Sequence, residues 1–155
     1  MPKEVKYGYL RGPRVIIKAW PIAASQVVND RGGKFVKLDS NDRIDIADSG
    51  DTQIEGWLES PSGQGLRAGL TTSSTAGADT GEVDVSELSC YRMPADADPA
   101  NTRGESADLI ITSDVQYVDV GESNEDVIVI LDLDTTDDTV DVRMNSIKMY
   151  AAGVA

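Results

Sequence analysis

Apolar and polar residues alternate along most of this chain. Ile44-Asp45-Ile46, Val83-Asp84-Val85, Val118-Asp119-Val120 and Val140-Asp141-Val142-Arg143-Met144 each put apolar side chains on one side of an extended backbone and charge on the other. A period of two marks a half-buried strand, because successive side chains of a strand point to opposite faces. No segment carries the 3.6-residue apolar stripe of an amphipathic helix. Polar and glycine-rich stretches at residues 29–33, 39–42, 48–51 and 121–124 fall between the apolar runs at hairpin spacing.

The pattern predicts strands over residues 15–20, 34–38, 43–47, 53–58, 82–88, 109–112, 115–120, 127–133 and 139–150. The uninterrupted run Val127-Ile128-Val129-Ile130-Leu131 is expected to lie centrally in its sheet. Asp45, Glu55, Asp84 and Asp141 are expected on outward faces, where charge discourages edge-to-edge association. Residues 60–81, rich in Gly, Ser and Thr, and residues 94–107, with Pro94, Pro99 and Gly104, read as long loops. Order in the first of these would need a neighbouring surface, since it has almost no bulky side chains between Leu70 and Gly81. The predicted fold is all-β: a small antiparallel barrel or sandwich with an extended N-terminal arm over residues 1–21 and a β-rich domain over residues 22–155.

Composition supports one domain. The chain has 155 residues, 40% of them apolar, which is enough for a sizeable core, and its eight aromatics leave that core mainly aliphatic. It contains no histidine. Ser-His-Asp and Cys-His nucleophile arrangements, His-containing zinc sites and imidazole acid/base chemistry are thereby excluded. The single cysteine, Cys90, cannot form an intrachain disulfide and reads as a small buried hydrophobe. The opening Met1-Pro2-Lys3-Glu4-Val5-Lys6 has no secretory pattern, and the longest aliphatic run is far too short to span a bilayer. A soluble protein made in a reducing cytoplasm is expected.

Charge changes the picture more. The net charge is −13, yet residues 1–43 hold nine Lys/Arg against four acids, leaving the remainder strongly acidic. The excess of acid opposes direct binding to nucleic acid or an anionic membrane. The split suggests either a basic segment that docks on an acidic partner or on the acidic body of a neighbouring copy, or a basic strand within one mixed fold. Within the basic stretch, Tyr7, Tyr9 and Trp20 are interleaved with Arg11 and Arg14, a mixture common at interface anchors because both types give large contact area with polar handles. These five residues are the candidate partner-binding site.

Catalytic and metal motifs are weak. The carboxylates of residues 132–139 suit a hard cation, but the stretch lacks the EF-hand glycine and terminal glutamate and sits between predicted strands, so it reads as a solvated hairpin tip. Asp48, Asp51, Glu122 and Glu125 are weaker still, and no ligand set is nominated. With twenty-seven acids, coincidental carboxylate pairs are guaranteed. Residues 31–34 and 62–65 are glycine-containing turns without a phosphate-binding context. No catalytic residue, metal or cofactor is assigned, and the expectation is a protein that is not an enzyme.

One region carries a resemblance. Residues 27–39, reading Val-Val-Asn-Asp-Arg-Gly-Gly-Lys-Phe-Val-Lys-Leu-Asp, are followed by Arg43-Ile44-Asp45-Ile46-Ala47 and Thr52-Gln53-Ile54-Glu55-Gly56-Trp57-Leu58. This order, over about residues 25–60, is similar to the small head decoration (cement) proteins of tailed bacteriophages. The resemblance implies a virion structural protein on the outer capsid surface, homo-oligomeric with a trimer favoured, whose partner is the major capsid protein and which stabilises the shell against internal DNA pressure. The alternative is an adhesin-like virion module that binds receptors or glycans through residues 60–81 and 94–107.

Overall fold

The computed structural model describes residues 7–28, 31–61, 70–121 and 124–149. Thirteen strands follow in order: β1 (Gly8–Arg11), β2 (Ile16–Pro21), β3 (Val27–Val28), β4 (Phe35–Leu38), β5 (Ile44–Ile46), β6 (Gly56–Pro61), β7 (Leu70–Thr71), β8 (Thr80–Asp84), β9 (Cys90–Pro94), β10 (Ser106–Thr112), β11 (Val115–Asp119), β12 (Ile128–Asp134) and β13 (Thr139–Met144). A single-turn 3-10 helix at Ser146–Lys148 is the only helix among the described residues, and it is too short to cross a membrane.

Two antiparallel sheets build the body. One has six strands in the order β1-β9-β13-β12-β10-β11 and the other five in the order β2-β8-β6-β4-β5. A two-stranded ladder, β3-β7, stands apart. β12 lies inside the six-stranded sheet, as its unbroken apolar run predicts. That sheet also curls on itself: Ala95, just past β9, bridges Val118 on β11, and the Asp96 N–H donates to the Val118 carbonyl at 3.0 Å.

Two hydrophobic cores result, and the five-stranded sheet serves both. Phe35 and Trp57 face the six-stranded sheet and pack with Tyr91, Met93, Leu109, Ile128, Ile130, Val140 and Val142. Their chain neighbours Val36 and Leu58 turn the other way, joining Val83, Ile22, Val28, Ile44 and Ile46 in the second core. The aromatic centre of the first core is tightly organised. The Trp57 and Tyr91 rings stack at 4.3 Å, and Phe35 meets Trp57 edge-on at 4.8 Å. Such pairs contribute about 1 kcal/mol each beyond the area they bury.

This arrangement corrects the expected faces of the acidic residues. Asp84 is completely buried, and Asp141 is 8% exposed. Both faces of the five-stranded sheet are covered, so the side of β8 opposite Val83 points between the sheets rather than into water. Asp84 is satisfied there by the Val15 N–H at 3.1 Å, the Ser86 N–H at 3.0 Å and the Tyr91 hydroxyl. Asp141 pairs with Arg92 at 2.9 Å. Asp45 and Glu55 are half-buried.

Several boundaries differ from the predicted ones. Residues 8–21, expected as an arm, are extended as predicted but lie against the body as edge strands, β1 on β9 and β2 on β8. Residues 1–6 fall outside the described set. The strand predicted over 82–88 stops at Asp84, because Asp84 and Ser86 accept the backbone N–H groups of Ser86 and Leu88 and bend the chain. The strand over 139–150 stops at Met144, two residues before the 3-10 turn at Ser146–Lys148, and residue 150 lies outside the described residues. β1, β3, β7 and β9 were not predicted. The stretch 94–107 is tied down by bonds from Gly104 N to Ile130 O and from Ile130 N to Glu105 O. In the other long stretch, residues 71–79 do find a neighbouring surface: Thr72 N donates to Gln26 O and Gly77 N to Ile22 O. Cys90 is buried, as expected.

Candidate protein-binding flank

β1 ends the six-stranded sheet and β2 ends the five-stranded one. Consecutive in the chain, they place both strands of the N-terminal segment on outer edges of the sandwich. The connection between them is fixed from three directions. Gly12 has φ of +107°, and a Cβ there would collide with the Leu88 carbonyl, so only glycine permits the close approach. Ser89 Oγ donates to the Pro13 carbonyl at 2.6 Å. The Val15 N–H reaches buried Asp84. Burial, reinforced by the Asp84 carboxylate, raises the Tyr91 hydroxyl above the ordinary tyrosine range and keeps it a donor to that carboxylate.

The five candidate residues occupy different neighbourhoods. Tyr9 meets Tyr91 edge-on at 5.9 Å, remains 40% exposed, and donates its hydroxyl to the Gly12 carbonyl at 2.5 Å. Arg14 lies 4.7 Å over the Tyr9 ring and forms an ion pair with Glu59. Burial pulls the Arg14 guanidinium down, but Glu59 outweighs it and holds the group firmly charged. Arg11 is exposed and sits across from Cys90 in the β1–β9 register. Trp20 is half-buried on the second core, with its indole N–H on the Asp42 carbonyl at 2.9 Å. Tyr7, also half-buried, has its hydroxyl raised by burial and, to a lesser degree, by the charges of Tyr117 and Asp137. The structure therefore brings Tyr9 and Arg14 together, leaves Arg11 open, and commits much of Trp20 and Tyr7 to intramolecular packing.

Sequence reading missed the apolar part of this flank. Val15, Ile17 and Leu88 are 51%, 42% and 59% exposed. A groove of about 500 Å³ adjoins Val15 and Leu88, and Pro13, Val85 and Met149 also line it. The signal was readable in Val15-Ile16-Ile17: three consecutive apolar residues in a strand cannot all face one core.

Elsewhere the carboxylates are engaged by their own loops. Asp134 accepts the N–H groups of Thr136 and Asp137 at the β12–β13 tip. Asp48 and Asp51 are taken up by nearby backbone, and Asp51 also by Lys37 at 2.6 Å. Glu122 lies outside the described residues. Among the described residues, no cluster of three or more metal-ligating side chains occurs. Comparison with protein-family models, with curated proteins and with solved structures finds no match to this chain.

Proposed function

We propose that this chain is a virion structural protein, a head decoration (cement) protein that binds the outer surface of a tailed-phage capsid and stabilises the shell without catalysing a reaction. The observation that carries the reading is the charge split together with its place in the fold. Nine of the fourteen basic residues precede residue 44, and the exposed Arg11 and Lys18 sit on the two N-terminal edge strands. An acidic body turned to solvent keeps decorated particles mutually repulsive, while a basic, aromatic flank suits an acidic surface on the major capsid protein. The resemblance over residues 25–60 supports the same reading. Each copy contributes a modest contact, and repetition over a symmetric shell supplies avidity. Nucleic acid and anionic membrane are disfavoured as partners by the net charge of −13.

Arg11→Glu is the discriminating variant, because Arg11 is exposed whereas Arg14 is engaged by Glu59. Copy number relative to the major capsid protein is measured by quantitative mass spectrometry of gradient-purified particles. Occupancy comparable to the shell protein, reduced by Arg11→Glu, is expected. Unchanged occupancy in the variant overturns the role of this flank, and absence of the wild-type chain from particles overturns the virion reading.

A further inference from the structure

We propose that Arg11 and Arg143, on either side of Cys90 on the outer face of the six-stranded sheet, form a clamp for a carboxylate of an acidic partner protein. The inference rests on the reading of the N-terminal flank as a docking surface and deepens it. A second arginine, from an inner strand, joins the flank, and the chemical group that the pair takes is named.

Strand register builds the site. Tyr91, Met93, Val140 and Val142 face the first core, so Cys90, Arg92, Asp141 and Arg143 lie on the opposite face of β9 and β13. Tyr9 meets the Tyr91 ring, and after a bulge Arg11 is across from Cys90. β9 and β13 pair Arg92 with Asp141 and Tyr91 with Val142, and the next step of that register sets Cys90 opposite Arg143. Val129 is across from Arg143, and Ser106 from Val129. A single row of Arg11, Cys90, Arg143, Val129 and Ser106 thus crosses the sheet with two arginines and no acid. Burial raises the Cys90 thiol, and the Arg11 charge leads the influences that oppose the rise, in keeping with this placement.

Charge decides what the row can hold. The neighbouring row is neutralised internally: Arg92 pairs with Asp141 at 2.9 Å, and Arg103 reaches Asp132 at 2.7 Å. Arg11 and Arg143 have no ion pair among the described residues, and Arg143 Nε is buried without a hydrogen-bond partner. A buried donor of this kind is destabilising until an acceptor meets it. In a chain with twenty-seven acids, two arginines left over on one face point to an acceptor that comes from outside. Adjacent strands are about 4.8 Å apart, so the two arginine Cα atoms are about 10 Å apart, a span that two guanidinium forks close on one carboxylate. Cys90 between them is short and buried, which keeps the row low there. Two copies of this chain, each at −13, repel, so the carboxylate belongs to a different protein.

The test is a titration of the full chain with succinate at low ionic strength, followed by the arginine Nε–H resonances in NMR spectra. Saturable binding that shifts the Arg11 and Arg143 signals together, and weakens as salt is added, is expected. Arg11→Gln and Arg143→Gln should each weaken binding about tenfold, the scale of one charge-assisted hydrogen bond. Arg143→Lys keeps the charge but loses the fork, and should weaken binding too if the glutamine variant fails to fold. Lys18→Gln removes an exposed charge from the other sheet and should change nothing. Absence of saturation, a shift at one arginine alone, equal weakening by Lys18→Gln, or preference for inorganic phosphate over succinate each overturns the clamp. Capsid occupancy that falls in Arg11→Glu while succinate fails to bind removes the clamp and leaves the docking reading. Succinate binding beside unchanged occupancy does the reverse.

Discussion

The side-chain amide of Gln116 lies against the backbone of Phe35 as a neighbouring strand would. Phe35 N donates to Gln116 Oε1 at 3.0 Å, and Gln116 Nε2 donates to Phe35 O at 2.9 Å and to Ala47 O at 2.8 Å. β11 belongs to the six-stranded sheet and β4 to the five-stranded one, so one side chain joins the two sheets. Gln116→Leu keeps comparable volume but removes the Gln116 partner of the Phe35 N–H and of the Ala47 carbonyl, while the Phe35 carbonyl keeps the Ala47 N–H at 3.0 Å. A loss of about 3 kcal/mol is expected, at roughly 1 to 3 kcal/mol per orphaned group partly relieved by relaxation. Urea unfolding measures it, and a loss under about 1 kcal/mol would show that water replaces the amide.

Gly12 presents a steric rather than a polar constraint. Gly12→Ala places a methyl group on the Leu88 carbonyl at a positive φ, which should cost about 2 to 3 kcal/mol. The thermal midpoint of the variant reports it. Gly50→Ala, also at positive φ but with open space around it, should cost less.

Much of the fold was legible and part of the site was not, for a shared reason. Ile44-Asp45-Ile46 reads correctly because its apolar pair enters a core and its aspartate stays half-exposed. Val83-Asp84-Val85 has the same pattern, yet Asp84 is fully buried. Periodicity separates two faces of a strand but not which face meets water, and a sheet serving two cores has no wet face at its centre. β9, Cys-Tyr-Arg-Met-Pro, was hidden because its inward residues are aromatic and thioether rather than β-branched and it ends in proline. The candidate residues were chosen by type. Only the fold shows that Arg14 is spent on Glu59 and Tyr9 while Arg11 is free to meet a partner.

Glu55 gives the protein a pH dependence of known sign. Burial pushes its carboxyl up to about 7 from an ordinary value of 4.5, and Oε2 has no hydrogen-bond partner. The folded state binds the proton more tightly than the unfolded chain, so this contribution is fully present below about pH 4.5 and is lost as pH rises toward 7. Glu55→Gln should gain about 1 to 2 kcal/mol at pH 8, after allowance for partial solvent screening, and almost nothing at pH 4. Equal gains at both pH values would remove the ionisation from the account.

Arg14→Ala should cost about 1 kcal/mol, the sum of a partly exposed ion pair and a cation–π contact. Chemical unfolding at low ionic strength and at about 1 M salt separates the two, since salt screens the pair with Glu59 more than the stacking on Tyr9. Arg11→Ala, with its side chain open, should leave stability within about 0.5 kcal/mol of the parent. A large loss there would show that β1 depends on Arg11 for docking to β9.

The N-terminal segment also decides when this protein can finish folding. β1 waits for residues 90–92 and β2 for residues 80–84, and the bond from Val15 to Asp84 closes a separation of 69 positions. Such distant pairing is slow to form, because the entropy of closing the intervening chain is lost before any contact compensates. On the ribosome β1 and β2 therefore wait longest for their partners among the described strands, with Val15, Ile16 and Ile17 bare until β8 arrives. Rapid synthesis at high temperature should divert nascent chains into aggregates seeded from residues 8–21, and slower translation should recover them.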